Sequence, residues 1–577
     1  MNRDYISNLY QQGRTHEKNK GLQARKETGV FYTPEEIVDH MVQNALSQMD
    51  VCRNPYIKIL DISCGAGYFL LKCFTVLKQR FEAHYEEILQ LHPELKELMP
   101  YDAIGRFIVE HNIWGADIDQ SAVSLVQQTL QQAAGGSCHT HIICADSLLS
   151  GIESEEHADF WRGAFDCIIG NPPYIGHKNV EAEYKSLLYK HYEAVYRDKS
   201  DISYCFFYRA MEQLKEGGFL SFITSRYFME GPSAEGLRAY LSSYDIQEIT
   251  EFGDQKVFSD AGVAVCIINI VKQAPSSSLK VNLLEDKLEM QHGKSFLVPK
   301  DLLKKEGWLL LEPQKLEIFQ SVEEQGTHLV EDILESYQGI ITGCDKAFVL
   351  ERQEAQEQHI EEELLRPWIK NSNVDKFSIG AANKLLIYAD IISDEALYPN
   401  ALAFIGNYKE KLMQRRECQK GIRRWYQLQW GRKQEVFEQE KLVYPYKAAT
   451  NRFAVDRRGY YCSADVYSLA LKKEYQGKLS LDYIAALLNS TLLTFYFKSI
   501  AKKISPSLYD YYPNKVLKIK LKLDVISPKI EDLVKTLYNT SDEVQRRCIL
   551  EAIDREIYSI YGLKDEQINL IKKSAEE

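Results

Sequence analysis

Apolar positions between Val30 and about Lys272 fall into short runs of strand length, separated by stretches of helical period. The runs are IKILDISC (57–64), FIVEHNIWGADID (107–119), THIICADSL (140–148), FDCIIGNPPY (165–174), GGFLSFITS (217–225) and VAVCIINIV (263–271). Strands alternating with amphipathic helices indicate a parallel sheet, because parallel neighbours need a crossover connection. Residues 29–272 are therefore expected to form an α/β domain with helices on both faces of the sheet. The segment QAPSSS (273–278) breaks the pattern and is read as the start of a linker reaching about residue 330. Residues 331–577, rich in Tyr, Trp, Arg and Lys, are expected to form a second domain with a helical, acidic end. Residues 1–28 are a polar, basic arm, and no internal repeat is visible.

Composition sets bounds on this picture. A chain of 577 residues exceeds what one hydrophobic core organises, roughly 250–300 residues. No apolar run approaches the roughly 20 residues that span a bilayer, and the N-terminus lacks the apolar stretch of a signal peptide, so a cytoplasmic protein is expected. Twelve cysteines include no CxxC pair. The one local cluster, Cys138-His139-Thr140-His141-Ile142-Ile143-Cys144, could hold a metal. Its alternation suits a strand better, and its spacings are not those of tetrahedral zinc sites, so no metal is expected.

The net charge of -12 argues against a nucleic-acid binder only as an average. Residues 401–460 hold 14 Lys/Arg against 6 Asp/Glu, and residues 491–520 hold 6 Lys against 1 Asp. Phosphate binding needs a local basic patch, not a basic total.

Four strand ends carry candidate chemistry. Asp61-Ile62-Ser63-Cys64-Gly65-Ala66-Gly67 follows the strand IKIL and opens a helix, which lets the backbone approach a ligand. The spacing is not GxGxxG, and no GK[ST] follows to hold phosphates. A plain strand–helix turn explains it equally. Asp117 ends the next strand, where a carboxylate can accept both hydroxyls of a ribose; Asp119 suits a helix cap better. The gap of 50 residues from Gly67 requires an inserted helical stretch, roughly Arg80 to Arg106. Asp146, in Cys144-Ala145-Asp146-Ser147, could bind the amino group of an adenine nucleoside or cap a helix. Asn171-Pro172-Pro173-Tyr174 is the most specific signal. Two prolines after a buried strand fix the backbone and remove two N–H donors. The Asn171 side-chain oxygen and the Pro172 carbonyl then remain as rigid acceptors matching the two protons of an NH2 group, and Tyr174 offers an aromatic face.

These pieces in this order resemble the gamma-class N6-adenine DNA methyltransferases, the type II and solitary modification enzymes. Thr28-Gly29-Val30-Phe31-Tyr32-Thr33-Pro34 looks like that family's methionine-side segment. Lys199-Ser200-Asp201, Gly217-Gly218-Phe219 and Glu251-Phe252-Gly253 through Val257-Phe258 also match. Gln338 to Gly343 and Ala485 to Ser490 resemble parts of its target-recognition domain. The resemblance covers residues 20–270 firmly and 330–520 loosely. It implies a Rossmann-like sheet followed by a mixed α+β target-recognition domain, with S-adenosylmethionine as cofactor. Tyr32, Thr33, Pro34, Asp61, Ser63, Gly65, Gly67, Asp117, Ile118, Asp146, Ser147 and Asn171 would hold the cofactor. It further implies that Asn171 and Pro172 accept the two N6–H bonds of a flipped adenine, flanked by Tyr174 and Phe258, without metal or covalent intermediate. Cys64 and Cys167 are assigned no catalysis.

In the second domain, residues 421–433 interleave basic and aromatic side chains. Arg423, Arg424, Trp425, Gln429, Arg432, Lys433, Lys447 and Arg452 are the candidate contacts to double-stranded DNA, with Lys441, Tyr446, Lys502 and Lys503 weaker. A solvated helix with a Trp stripe in the core is the alternative for that segment. Rival functions are methylation of RNA or of a protein glutamine amide, and a non-catalytic DNA-binding subunit. A nuclease is not expected, since only 28 residues precede the methylase pattern, and no obligate protein partner is expected.

Overall fold

The structure is a computed structural model describing residues 33–253, 255, 257–258, 263–284, 293–505 and 508–576. The basic arm and Tyr32 lie outside the described residues. The chain divides into two compact units, the first ending at Pro313 and the second starting at Gln314.

The first unit is built on β1 (Ile59–Asp61), β2 (Ile113–Asp117), β3 (His141–Cys144), β4 (Phe165–Gly170), β5 (Leu214–Ser225), β6 (Asp245–Glu251), β7 (Val265–Val271), β8 (Ser278–Leu284) and β9 (Gly293–Pro299). Their order in the sheet is β3-β2-β1-β4-β5-β7-β6-β8-β9. Strands β1 to β5 pair in parallel, and β7 inserts antiparallel between β5 and β6. Around them run α1 (Glu35–Ser47), α2 (Tyr68–Ala83), α3 (Ile104–His111), α4 (Gln120–Ala133), α5 (Ala182–Tyr192), α6 (Ser203–Gln213) and α7 (Glu235–Leu241).

Strand periodicity puts helices on both faces. In β1, Ile59 joins a core with Met41, Leu70, Phe74 and Val126, while Leu60 joins another with Phe160, Leu188 and Phe207. In β4, Cys167 and Ile169 go to the first core and Ile168 to the second; Phe165 joins the second as well, on the far side of a register shift between Phe165 and Cys167. A period of two thus turns one continuous apolar run into two buried faces. The expected insertion is present as helices at Tyr85–Leu91 and Leu95–Leu98 ahead of α3. It lengthens the path from the glycine turn to β2 without disturbing the parallel register.

The expected linker at 273–330 is corrected. Strands β8 and β9 continue the first sheet, with β8 parallel to β6 and β9 antiparallel to β8. QAPSSS is a tight connection tied to Asp245, which accepts hydrogen bonds from Gln273 Nε2 (2.9 Å) and Ser276 N (3.0 Å) and is bridged by Lys300. Serine-rich composition marks the turn correctly but not its partners.

The second unit is mixed α+β. One four-stranded sheet has the order β10-β17-β14-β15 and another the order β11-β13-β12-β16. These strands are β10 (Leu334–Gln338), β11 (Val349–Glu351), β12 (Leu365–Ile369), β13 (Lys384–Ile387), β14 (Lys441–Pro445), β15 (Ala454–Asp456), β16 (Tyr461–Cys462) and β17 (Val466–Leu471). The C-terminal part is helical, with α8 (Leu481–Asn489), α9 (Thr491–Ile500), α10 (Pro528–Tyr538), α11 (Glu543–Ile560) and α12 (Asp565–Glu576). Helix α8 is buried along nearly its whole length. At its end Asn489 pairs with both backbone groups of Phe453, donating to its carbonyl (2.7 Å) and accepting from its N–H (2.9 Å).

Lys441 corrects a weaker sequence candidate. It is fully buried, paired with Asp456 at 2.5 Å, and faces no solvent phosphate. The Asp456 carboxylate also accepts from Arg458 N (2.8 Å) and Tyr460 N (2.9 Å). Replacing Lys441 by Met strands that carboxylate in the core, a loss of about 3–5 kcal/mol. Denaturant unfolding of Lys441→Met is expected to show it. A loss below about 1 kcal/mol would contradict this role.

Candidate active site

The order of the sheet reverses between β1 and β4, so their carboxyl ends part and leave a crevice, the place where ligands bind in open parallel sheets. A cavity of about 680 Å³ lies there, lined by residues that follow β1, β2, β3 and β4. That volume is in the range of small-molecule sites.

After β1 the chain turns tightly into α2. Gly67 has φ +80°, and a Cβ there would sit 2.8 Å from Val126 Cγ2 of α4, so glycine is required for conformation and for space. Asp61 is 1% exposed, and its carboxylate accepts from Ser63 N at 3.0 Å. Gly170, at the end of β4, approaches so closely that a Cβ would meet Asp61 Oδ1 at 2.6 Å. Burial, with the nearby Asp117 charge, pushes the Asp61 carboxyl up to about 8.

After β2, Asp117 Oδ2 accepts from Gly65 N at 2.8 Å and Oδ1 from Asp119 N at 2.9 Å. These bonds lock the glycine turn to the end of β2. Asp119 caps α4, accepting from Ser121 N (2.9 Å) and Ala122 N (3.3 Å). Between the two acids, Ile118 is 76% exposed on the cavity wall, an apolar surface facing solvent.

After β3, Asp146 accepts from Leu148 N (2.9 Å) and from the Tyr184 hydroxyl (2.8 Å). Ser147 also lines the cavity, and its hydroxyl donates to the Ile62 carbonyl at 2.6 Å, bracing that wall. Of the Cys138–Cys144 cluster, His141–Cys144 form β3, with His141 stacked on Trp114 at 3.8 Å.

After β4 comes the Asn-Pro-Pro-Tyr loop. Asn171 Nδ2 donates to Thr33 Oγ1 at 3.1 Å, and Ser63 Oγ donates to the Asn171 carbonyl at 3.4 Å. The Tyr174 hydroxyl donates toward Asn171 Oδ1, with the Ile223 carbonyl also in reach at 3.0 Å. Burial raises that hydroxyl well above its ordinary value, so it stays a donor. Pro34 starts α1, its carbonyl accepting from Ile37 N and Val38 N. The Tyr174 and Phe258 rings lie 6.4 Å apart at 48°. Two aromatic contact distances need about 7 Å between parallel faces. A planar ring placed there would therefore stack on one ring edge-on to the other, or one ring would shift.

The crevice has a further wall that carries no sequence signal: Ile175, Asn179, Val180, Glu181, Tyr184 and Phe206. These sit in irregular loop and on α5 and α6, without glycine or period to flag them. The thiols near the crevice are poor nucleophiles. Burial raises both Cys64 and Cys167 well above the ordinary cysteine range.

In the second unit, residues 421–433 form an irregular loop, not a helix, anchored by buried Tyr426 and Leu428. Arg415 holds it, donating to the carbonyls of Trp425 and Gln427 at 2.9 Å each. Several side chains expected to contact DNA are instead engaged internally. Arg423 pairs with Asp390 at 2.9 Å, Gln429 donates to Glu417 at 3.1 Å, and Arg452 donates to Asn371 at 3.1 Å. Trp425 is half-buried beneath Lys409. Arg424, Arg432 and Lys433 remain exposed. Lys447 lies on a small sheet with Lys503.

Residues 111–258 match the Eco57I restriction-modification methylase family, and residues 366–519 match the TaqI-like C-terminal specificity domain. One segment similar to each part of a restriction-modification methylase thus lies in each unit. The Type II methyltransferase M.BanIII of Aneurinibacillus aneurinilyticus is 22% identical over 529 residues, covering 82% of this chain and 85% of that one. The Type II methyltransferase M.HindII of Haemophilus influenzae is 27% identical over 387 residues, covering 60% and 73%. The solved structure of the Type IIL restriction-modification enzyme MmeI with DNA has the same fold, with a TM-score of 0.65 at 14% identity over 96% of this chain and 79% of that one. Among the described residues no helix is long and apolar enough to cross a membrane.

Asp61 gives this methylase a pH signature. Its folded-state value of about 8 lies above the ordinary 3.8, so the folded chain binds the extra proton. The stability this contributes is full below pH 3.8 and is lost as pH rises to about 8, with a slope of up to about 1.4 kcal/mol per pH unit. Asp61→Asn is expected to flatten that slope between pH 5 and 8 in urea unfolding. Equal slopes in both proteins would overturn the assignment.

Proposed function

We propose that this chain transfers a methyl group from S-adenosylmethionine to the N6 amino group of an adenine flipped out of double-stranded DNA. The observation that carries the reading is the Asn171–Tyr174 loop beside a cavity whose other walls are Asp117, Ile118 and Asp146. This donor set fits a nucleoside with a cationic tail. Asp117 would take the ribose hydroxyls, Ile118 would cover one face of the adenine, and Asp146, already steadied by Tyr184, would accept from its amino group. Thr33, Asp61 and the turn at Gly65 would surround the remainder. The bound cofactor supplies an electrophilic methyl on a sulfonium; the rest is done by the chain.

The lone pair of an adenine amino group is delocalised into the ring and is a weak nucleophile. Asn171 Oδ1 and the Pro172 carbonyl would each accept one N–H, which draws the nitrogen toward a tetrahedral geometry. Asn171 is held for this by its bonds to Thr33 and Tyr174. An amide oxygen accepts two hydrogen bonds, so Tyr174 need not leave for a target N–H to arrive. Preorganised acceptors of this kind act without reorganisation cost. No strong base is needed, because the methylated nitrogen is acidic and loses its proton to water. The raised thiols of Cys64 and Cys167 disfavour the covalent route of cytosine C5 chemistry.

The target is read as DNA because the matched relatives are restriction-modification methylases and the second unit matches a specificity domain. A stacked base cannot reach the crevice, so flipping is required. Arg424, Arg432 and Lys433 are the phosphate contacts favoured by exposure. Lys498, with Lys503 and Lys376 close by, forms a second basic group, and burial plus those like charges lower the Lys498 ammonium below its ordinary value. A phosphate would relieve that repulsion.

Asn171→Ala is expected to lower methyl transfer from labelled cofactor to adenine by at least about 100-fold, with the unfolding transition little changed. Full activity in that variant would end the mechanism, and label recovered in RNA or glutamine would redirect the substrate. Single Ala changes at Arg424, Arg432 and Lys433 are expected to reduce the salt slope of log affinity for DNA by roughly one unit for each phosphate that the removed side chain had neutralised. An unchanged slope in all three would move the DNA-binding face to the Lys498–Lys503 group.

A further inference from the structure

Outside the methylase crevice, one cluster of side chains has the chemistry of a metal site. Cys52, His84 and Glu87 bring a sulfur, an imidazole nitrogen and a carboxylate oxygen within 4.8 Å of one another, the one such trio among the described residues. Cys52 lies in the turn between α1 and β1, 8% exposed, its N–H bonded to Asp50 at 3.0 Å and its carbonyl to His92 Nε2 at 3.1 Å. His84 is the junction between α2 and the helix Tyr85–Leu91, and Glu87 is one turn further on. His84 Nδ1 is 3.1 Å from Glu87 Oε2, and the two half-exposed side chains open onto a depression lined also by Glu82, Tyr85 and Tyr101.

We propose that Cys52, His84 and Glu87 bind a zinc ion that clasps the inserted helices to the loop leading into β1. The donor set selects the metal. A thiolate excludes calcium and magnesium, which take oxygen ligands, while thiolate, imidazole and carboxylate together suit zinc. Bonds of about 2.0–2.3 Å place tetrahedral ligands about 3.3–3.8 Å apart; the His84–Glu87 pair is already that close, and a separation at the 4.8 Å bound has to close by about 1 Å. The two mobile partners are the exposed ones, and Cys52 is the fixed one. On binding, the Cys52 S–H bond breaks, its proton leaves to solvent, and a sulfur–zinc bond forms. Thiolate and carboxylate then neutralise the dication, with the fourth position left to water. None of the three residues lines the methylase crevice, so the role is structural.

The test uses the full chain, stripped with chelator and titrated with Co2+ as a spectroscopic stand-in, then with Zn2+. One equivalent of Co2+ is expected to give thiolate-to-cobalt absorption in the near ultraviolet, bleached by Zn2+, and Zn2+ is expected to raise the melting temperature. Cys52→Ser should abolish the band and weaken Co2+ binding at least about tenfold. Glu87→Gln, a surface change that does not threaten folding, should weaken it too. Absence of the band in the unaltered protein, or equal Co2+ affinity in Cys52→Ser or Glu87→Gln, would overturn the site and assign any bound metal to an exposed thiol such as Cys548.

Discussion

At Gly170 the ends of β1 and β4 come so close that no side chain fits between them, and the arrangement of the methylase crevice follows from that contact. Because β4 has no Cβ there, Asp61 can lie buried against it and hold the glycine turn through Ser63 N. Because the turn is held, Ser63 can reach over to the Asn171 carbonyl. Asn171 in turn fastens Thr33 on one side and Tyr174 on the other. The glycine turn and the Asn-Pro-Pro-Tyr loop are therefore tied together, and the acceptors proposed for the target are set before any ligand arrives. Preorganisation of this sort is what electrostatic catalysis requires.

The second unit solves a different problem. It must show positive charge to solvent while keeping irregular loops ordered. It does so by turning part of its basic residues inward: Arg415 on loop carbonyls, Arg423 on Asp390, and Lys441 on Asp456 in the core. A dense run of Lys and Arg in sequence is thus an upper bound on the charge available to a partner. A guanidinium with five donors can tie several carbonyls at once, which a loop without secondary structure needs.

These two cases show what is legible in a sequence. The parallel sheet, the glycine turn, Asp119 as a cap and the insertion before α3 could all be read, because each rests on local period or on residues whose backbone demands are special. The Asn-Pro-Pro-Tyr loop was legible for the same reason. The extension of the sheet through β9 was missed because QAPSSS has the composition of a linker, while Asp245, which pins it, lies 28 positions or more away from each partner. The inner wall at Asn179, Glu181, Tyr184 and Phe206 carries no local signal. The pairing of Arg423 with Asp390 spans 33 positions, so only the folded chain separates structural arginines from exposed ones.

If the first unit takes up a flipped adenine as proposed, the two units are linked in energy. Stacking a flipped adenine on Tyr174 or Phe258 is worth roughly 1–3 kcal/mol, and extracting it from the duplex costs a few kcal/mol. The 6.4 Å spacing of the two rings rules out a full parallel sandwich without movement, which leaves the stacking gain toward the lower end. Two hydrogen bonds to Asn171 and Pro172 add a net of about 0.5–1.5 kcal/mol each, since the same amino protons were bonded in the duplex or to water. The crevice by itself therefore roughly balances the cost of emptying the stack. Any surplus that commits the base to the site has to come from phosphate and groove contacts made elsewhere on the chain, and those contacts grow only with a matching sequence. On the proposed reaction, the first unit would need a specificity domain for the chemistry to begin, and selectivity for a DNA site would follow from the same energetic shortfall.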